Sequence, residues 1–259
     1  MTSYNWQQLS IPTIKDLLTS TELDDAAWQT LAQDSRRGVQ NLVRQHQKQL
    51  ERTLKAQQSF EQRLQFEKKY WQKGQLVAGI DEVGRGPLAG PVVTAAVVLP
   101  PTVDILEIND SKQLSDEKRH QLYPKILSEA VDISIAVGSN QLIDTENIYH
   151  ATELTMAQSV NNLRVLPQHL LVDAMVVPVN IPQTKLIKGD ARSISIGAAS
   201  IVAKVYRDEL MKNYDKVYPG FGFSDNAGYG TKVHLQGLQK LGPCAIHRHS
   251  FNPVKQYLK

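Results

Sequence analysis

The spacing of apolar residues changes at about residue 73 of this 259-residue chain. Before that point Val39, Leu42, Val43, Leu50, Leu54 and Leu64 recur near helical spacing, with Gln, Lys, Arg and Glu filling the positions between them. Neither Gly nor Pro interrupts the stretch between Gly38 and Gly74, which predicts one long helix broken at most once. Upstream, Thr13 and Asp24 or Asp25 are candidate helix caps, and Trp28 and Leu31 begin an apolar stripe. Residues 1–72 therefore read as a helical N-terminal extension.

After Gly74 the texture turns to short β-rich runs punctuated by Gly and Pro. Residues 76–80, 92–99, 133–137, 169–172 and 185–187 read as strands, with helices over 146–163 and 193–214. Ile196, Ala199, Ile201 and Val202 mark the buried side of the second helix. This order predicts an α/β domain over residues 73–259, a mixed five-stranded sheet flanked by helices.

Composition narrows the class. The apolar run that begins at Val92 is far shorter than the roughly 20 residues that cross a bilayer. The first residues show neither the basic nor the apolar segment of a secretory signal, so the expectation is a cytoplasmic protein with no membrane association. One cysteine, Cys244, excludes an internal disulfide and a cysteine-based zinc cluster. The net charge of +3 conceals an uneven distribution: residues 1–35 sum to −4, residues 36–73 to +7, and the rest to zero. A basic block beside a neutral domain suits a polyanionic partner, because Lys and Arg near phosphates release counterions; a solvated helix face would look the same.

Acidic residues at the ends of strands carry the candidate chemistry. Asp81 and Glu82 follow the first strand, Asp173 the fourth, and Asp190 the fifth after a Lys-Gly pair. Sites in open α/β sheets form at the carboxyl ends of strands. Carboxylates converging there repel one another unless hard cations such as Mg²⁺ or Mn²⁺ neutralise them, and two such ions can clamp a phosphodiester in line. Neighbours on a strand point to opposite faces, so Asp81 and Glu82 share a site only if the strand stops. Gly84 and Gly86 predict that stop. The Gly84-Arg85-Gly86 segment also brings a backbone that a ligand can approach closely, although it has neither the ending of a P-loop nor the spacing of a dinucleotide fingerprint.

The segment Gly79-Ile-Asp-Glu-Val-Gly-Arg-Gly-Pro-Leu-Ala-Gly-Pro91 closely resembles the first signature of ribonuclease HII, the bacterial type 2 ribonuclease H. The resemblance continues through Asp110-Ser-Lys-Gln-Leu-Ser115, Leu171-Val-Asp173 and Lys188-Gly-Asp190. It extends to Ala198-Ala-Ser-Ile-Val-Ala-Lys204, Gly228-Tyr-Gly-Thr-Lys232 and Ile246-His-Arg-His-Ser-Phe251. It implies a ribonuclease H-like fold and a metal-dependent endoribonuclease. The implied catalytic and metal-binding set is Asp81, Glu82, Asp173 and Asp190, with two Mn²⁺ or Mg²⁺ ions. The implied partners are RNA–DNA hybrids and duplex DNA containing ribonucleotides, cut on the 5′ side of the ribonucleotide to leave a 3′-hydroxyl and a 5′-phosphate. By the same resemblance Gly84, Arg85 and Gly86 read the 2′-hydroxyl, Tyr229 packs at the RNA–DNA junction, and Lys112 touches a backbone phosphate. By their types alone Tyr229 is a half-buried tyrosine in a Gly-rich turn and Lys112 a surface lysine.

Gly197 departs from the family's alanine, with no more than slightly looser helix packing expected. His234 reads as a capping or packing residue, and His247 and His249 as structural or phosphate-facing. The family rival is ribonuclease HIII, which shows Gly-Thr-Gly at the Gly84-Arg85-Gly86 position and needs longer RNA tracts. A more distant rival is an integrase- or resolvase-like nuclease, and a non-catalytic hybrid binder is the rival from another class. A monomer is expected.

Overall fold

The computed structural model describes residues 4–20 and 23–258. Its contacts group into two compact units, residues 1–59 and 60–259.

The first unit is helical. It holds α1 (Ile11–Ser20), α2 (Asp25–Ala32) and most of α3 (Arg37–Arg63). Asp24 caps α2 by accepting the Ala27 N–H at 2.9 Å. Thr13 lies inside α1 rather than at its start; its N–H is accepted by the Ser10 hydroxyl, which does the capping. Trp6, Ile14, Leu31, Val39 and Val43 make a small core. Leu50 and Leu54, expected on the buried stripe, are about half exposed, because α3 outruns that core.

The second unit begins with the last residues of α3 and continues through α4 (Gln65–Trp71) and β1 (Val77–Val83) to β2 (Val92–Val98). Next come α5 (Asp116–Glu129), β3 (Asp132–Gly138), α6 (Asn140–Asn161), β4 (His169–Asp173) and β5 (Gln183–Leu186). The chain ends with α7 (Ile194–Val217), the short α8 (Phe223–Asn226) and α9 (Lys232–Leu241). The sheet runs β3-β2-β1-β4-β5, antiparallel on the β3 and β2 side and parallel from β1 to β5. It is the mixed five-stranded sheet that the sequence predicts. Helix α5 was not anticipated; its polar residues hide the buried Leu122 and Ile126. Among the described residues no helix is long and apolar enough to cross a membrane.

Strand alternation sorts the core. Val93, Ala95 and Val97 face α7 and α5, whereas Ala96 and Val98 face α6 across the sheet. Helix α7 lies against β1 at backbone distance: a Cβ on Gly79 would fall 2.0 Å from the Ser195 carbonyl carbon. Only glycine permits that approach, and it fixes β1 under the first turns of α7.

Residues just before β1 complete this unit. Phe60 and Leu64 are buried with the α7-side core, and Phe66, Tyr70 and Trp71 pack on Val77, Leu171, Leu186 and Ile196. Glu67 on α4 has no exposed surface. Its Oε1 accepts the Ser193 hydroxyl at 2.5 Å and the Ser195 N–H at 2.9 Å, so it caps the start of α7 beside Ser193 itself. Burial raises the Glu67 pKa, and these donors oppose the rise.

Candidate active site

The β1–β4 register assembles the acids. Ile80 pairs with Val172 on parallel strands, so the next residues, Asp81 and Asp173, stand on neighbouring strands where the β1–β4 pairing ends. Asp190 arrives from the turn after β5, the next parallel strand. That turn is pinned to Asp173, whose Oδ1 accepts the Gly189 N–H at 2.6 Å. Asp81 lies on the α7 face, two residues beyond Gly79, and accepts a hydrogen bond from Ser200 on that helix.

One expectation is corrected. Strand β1 does not stop before Glu82 but runs through Val83, so Asp81 and Glu82 point to opposite faces. The continuous pairing of Glu82 with Thr94 and Val83 with Val93 on β2 holds the strand extended. The break comes one residue later, at Gly84. Glu82 still lies within electrostatic reach of Asp81 and Asp173. It is balanced by Arg85 at 3.4 Å, and its Oε2 is buried without a hydrogen-bond partner.

The cluster is electrostatically loaded. Burial first, then repulsion from Glu82 and Asp173, holds the Asp81 carboxyl well above the usual carboxylate range. Burial likewise raises Asp173 and, with repulsion from Asp173 and Asp110, Asp190. Burial also raises Glu82, against the pull of Arg85. Asp110 is thus a fifth acid at this site, legible in the Asp-Ser-Lys motif but not assigned from it.

Lys112 is the cation facing these groups. Burial disfavours its charge, yet Asp81, Asp190, Asp110 and Asp173 together hold its ammonium above the ordinary lysine value. Its short helical turn is tied to α7 by a 2.8 Å hydrogen bond between the Ser111 and Ser200 hydroxyls. The donor set is entirely oxygen, which matches a hard divalent ion. Among the described residues no three His, Cys, Asp or Glu side chains stand at ligand spacing.

The Gly-Arg-Gly segment lies at the end of β1. Gly84 has φ +92°, and a Cβ there would meet the Arg207 Nε at 2.1 Å, so glycine is required twice over. The Arg85 guanidinium lies 5.9 Å from the centre of the Tyr149 ring. Tyr229, about half exposed, sits beside the loop: a Cβ on Gly86 would touch its Cε1 at 3.4 Å. The structure therefore brings together the acids, Lys112, the loop and Tyr229. Gly197 also does more than loosen packing, since a Cβ there would press on the Asp190 carbonyl oxygen at 3.0 Å.

Two buried histidines support the Tyr229 turn. His247 Nδ1 accepts the Cys244 N–H at 2.8 Å, so its proton is on Nε2 and is donated to His234 Nε2 at 3.0 Å. His234 then donates from Nδ1 to the Tyr229 carbonyl at 2.9 Å. The network needs both rings neutral. Burial, with help from His234, pushes the His247 pKa down to about 4. A histidine lowered in the folded state stabilises the fold above its unfolded pKa, about 6.5, and that contribution disappears as pH falls toward about 4. We expect His247 to remove about 3 kcal/mol of stability over that window, from the 1.36 kcal/mol per pKa unit. Asn at this position offers its Oδ1 to the Cys244 N–H without titrating. Urea midpoints should therefore fall less steeply with acid in His247→Asn than in the wild type, and parallel profiles would refute the assignment.

Comparisons with known proteins show the family. The family model for ribonuclease HII matches residues 78–254, and that for the ribonuclease HII N-terminal domain matches residues 10–71. A ribonuclease HII of Lactobacillus helveticus is 57% identical over 251 residues, covering 97% of this chain and 100% of its own.

The chain belongs to the ribonuclease HII family.

Among solved structures, the ribonuclease H2 of Pyrococcus horikoshii is similar, with TM-score 0.61 and 26% identity over 70% of this chain and 96% of that one. Bst-RNase HIII in complex with Mn²⁺ shares the fold, with TM-score 0.52 and 20% identity over 71% and 69% of the two chains. As a ribonuclease HII the protein is an endoribonuclease of the ribonuclease H class. The ribonuclease HII identity also decides against ribonuclease HIII, the family rival, as Arg85 in the Gly-Arg-Gly loop implies.

Proposed function

We propose that this ribonuclease HII hydrolyses the RNA strand of RNA–DNA hybrids and cuts on the 5′ side of single ribonucleotides in duplex DNA. The products are a 3′-hydroxyl and a 5′-phosphate. The observation that carries the reading is the grouping of Asp81, Asp173 and Asp190 at one sheet end, with Glu82 on the other face of β1 but within electrostatic reach and the Gly-Arg-Gly loop and Tyr229 alongside. These carboxylates would hold two Mn²⁺ or Mg²⁺ ions, consistent with the Mn²⁺ of the ribonuclease HIII relative. Bound there, such ions supply a hydroxide equivalent and charge stabilisation at the leaving 3′ oxygen.

The chain's own residues do the rest. Asp173 is held by the Gly189 N–H and Asp81 by Ser200, so each presents its carboxylate at the sheet end. Lys112, which faces these acids, would touch a backbone phosphate of the bound strand. Backbone groups of Gly84, Arg85 and Gly86 approach the ribose 2′-hydroxyl, and the Tyr229 ring packs on the sugar that follows it. The enzyme acts as a cytoplasmic monomer. The exposed Arg44, Lys48, Arg52 and Lys55 of α3 add affinity for the duplex.

The test is cleavage of a DNA duplex containing one ribonucleotide, with Mn²⁺ or Mg²⁺. A single 5′-side cut, abolished by chelator, is the expected result. Cleavage confined to long RNA tracts would replace the proposed substrate. Tight hybrid binding with no cut under either ion would sink the metal-dependent reading.

A further inference from the structure

Two arginines with no exposed surface lie directly behind the Gly-Arg-Gly loop, and neither makes an ion pair among the described residues. Arg207 on α7 donates from Nε to the Pro91 carbonyl at 2.9 Å, from Nη1 to Ala227 at 2.9 Å and from Nη2 to Ala89 at 3.3 Å. Arg248 donates from Nε to the Gly90 carbonyl at 3.0 Å, from Nη1 to Arg85 at 2.8 Å and from Nη2 to Gly84 at 2.5 Å. Burying a charge without a close ion pair is costly, and burial, opposed by Asp208 for Arg207 and by Asp144 for Arg248, pushes Arg207 down to about 10 and Arg248 to about 9. The planar guanidinium carries five N–H donors in a fixed fork, so each arginine can hold several carbonyl oxygens at once.

What they do follows from the planar trans peptide, whose C=O and N–H point in opposite directions. Arg248 draws the Gly84 and Arg85 carbonyls inward, so the N–H groups of Arg85 and Gly86 turn outward, on the side open to a ligand. A cation on each carbonyl oxygen also polarises that peptide and strengthens the N–H as a donor. Arg207 meanwhile ties the far end of the same loop to Ala227, two residues before Tyr229. The join is reinforced by Leu88 N–H to Gly228 O at 2.8 Å and Arg248 N–H to Leu88 O at 2.9 Å.

We propose that Arg207 and Arg248 are positioning residues that clamp the Gly-Arg-Gly loop and the Tyr229 turn into one body, so that the ribose and the sugar after it are read at fixed spacing. The proposal rests on the substrate roles given above to the loop and to Tyr229. The clamp itself sets the preference for a ribonucleotide–deoxynucleotide junction over a continuous RNA tract, where a 2′-hydroxyl on the following sugar obstructs the Tyr229 contact.

The test is the ratio of cleavage at a single embedded ribonucleotide to cleavage within an all-RNA hybrid strand, measured for the full chain with Mn²⁺. A ratio cancels any loss of folded protein. Arg248→Lys keeps the charge but loses the planar fork that spreads donors over three separate carbonyls, and the ratio should fall at least about ten-fold, given that misplacements near 1 Å cost up to about 100-fold. Arg207→Lys serves as the second variant and should lower the ratio in the same direction. Tyr229→Ala, at an exposed side chain, is the control for the underlying reading. If Tyr229→Ala lowers the ratio while both lysine variants leave it unchanged, the clamp is refuted and the substrate reading stands. An unchanged ratio in Tyr229→Ala would refute the junction role itself and the clamp with it.

Discussion

Asp81→Asn is expected to cut turnover on the single-ribonucleotide duplex by at least about 10³-fold, a loss near 4 kcal/mol of transition-state stabilisation. The same substitution should make the protein more stable in chelator. Asp81 is buried, and its carboxyl is held well above the usual range by burial and by Glu82 and Asp173, so its charge works against the fold at neutral pH. A carboxyl raised in the folded state adds stability as pH falls through its folded value, the reverse of His247. In chelator at pH 7, Asp81→Asn should therefore be more stable than the wild type by about 1–2 kcal/mol and melt higher, in the usual range for relieving an active-site conflict. The readouts are single-turnover cleavage and thermal melting with and without Mn²⁺. A variant that melts lower in chelator would contradict the loaded cluster, and one that still cuts would remove Asp81 from the metal set.

The second large effect separates two truncations. A chain beginning at Gly74 loses Phe60, Leu64, Phe66 and Trp71 from the core of the second unit, and leaves Ser193 and Ser195 without Glu67. At about 1.5–3 kcal/mol for each buried apolar side chain, the loss is of the order of the whole stability of a domain. That chain should not fold. A chain beginning at Phe60 keeps all of these residues and should melt cooperatively and cleave. Because it lacks Arg44, Lys48, Arg52 and Lys55, its hybrid affinity should fall less steeply with salt than that of the full chain. Circular dichroism on both chains and binding at several salt concentrations decide it. A stable, active Gly74 chain would show that the α4 packing is dispensable.

These residues also show where local pattern and packing part company. Composition changes at about residue 73, where Gly74 ends the Gly- and Pro-free helical stretch, and the contacts divide the chain between Ser59 and Phe60. Amphipathic spacing on α3 and α4 reports that a face is apolar but not which core receives it. Leu50 and Leu54 lie exposed while Leu64 is buried.

The sequence by itself determined the family and the class of fold. Acids at strand ends, the Gly-Arg-Gly turn and the strand–helix order are local patterns, and local patterns survive in a linear text. The tertiary structure alone decided how far β1 extends, because the pairing of Glu82 and Val83 with β2 overrides the glycines beyond. It alone placed Asp110 among the acids, paired His234 with His247, and turned Arg207 and Arg248 inward. Arg207 and the Pro91 carbonyl are 116 residues apart, and Arg248 and the Gly84 carbonyl 164. An arginine's partner is a backbone oxygen that every residue type carries, so nothing in the sequence marks which one it will find.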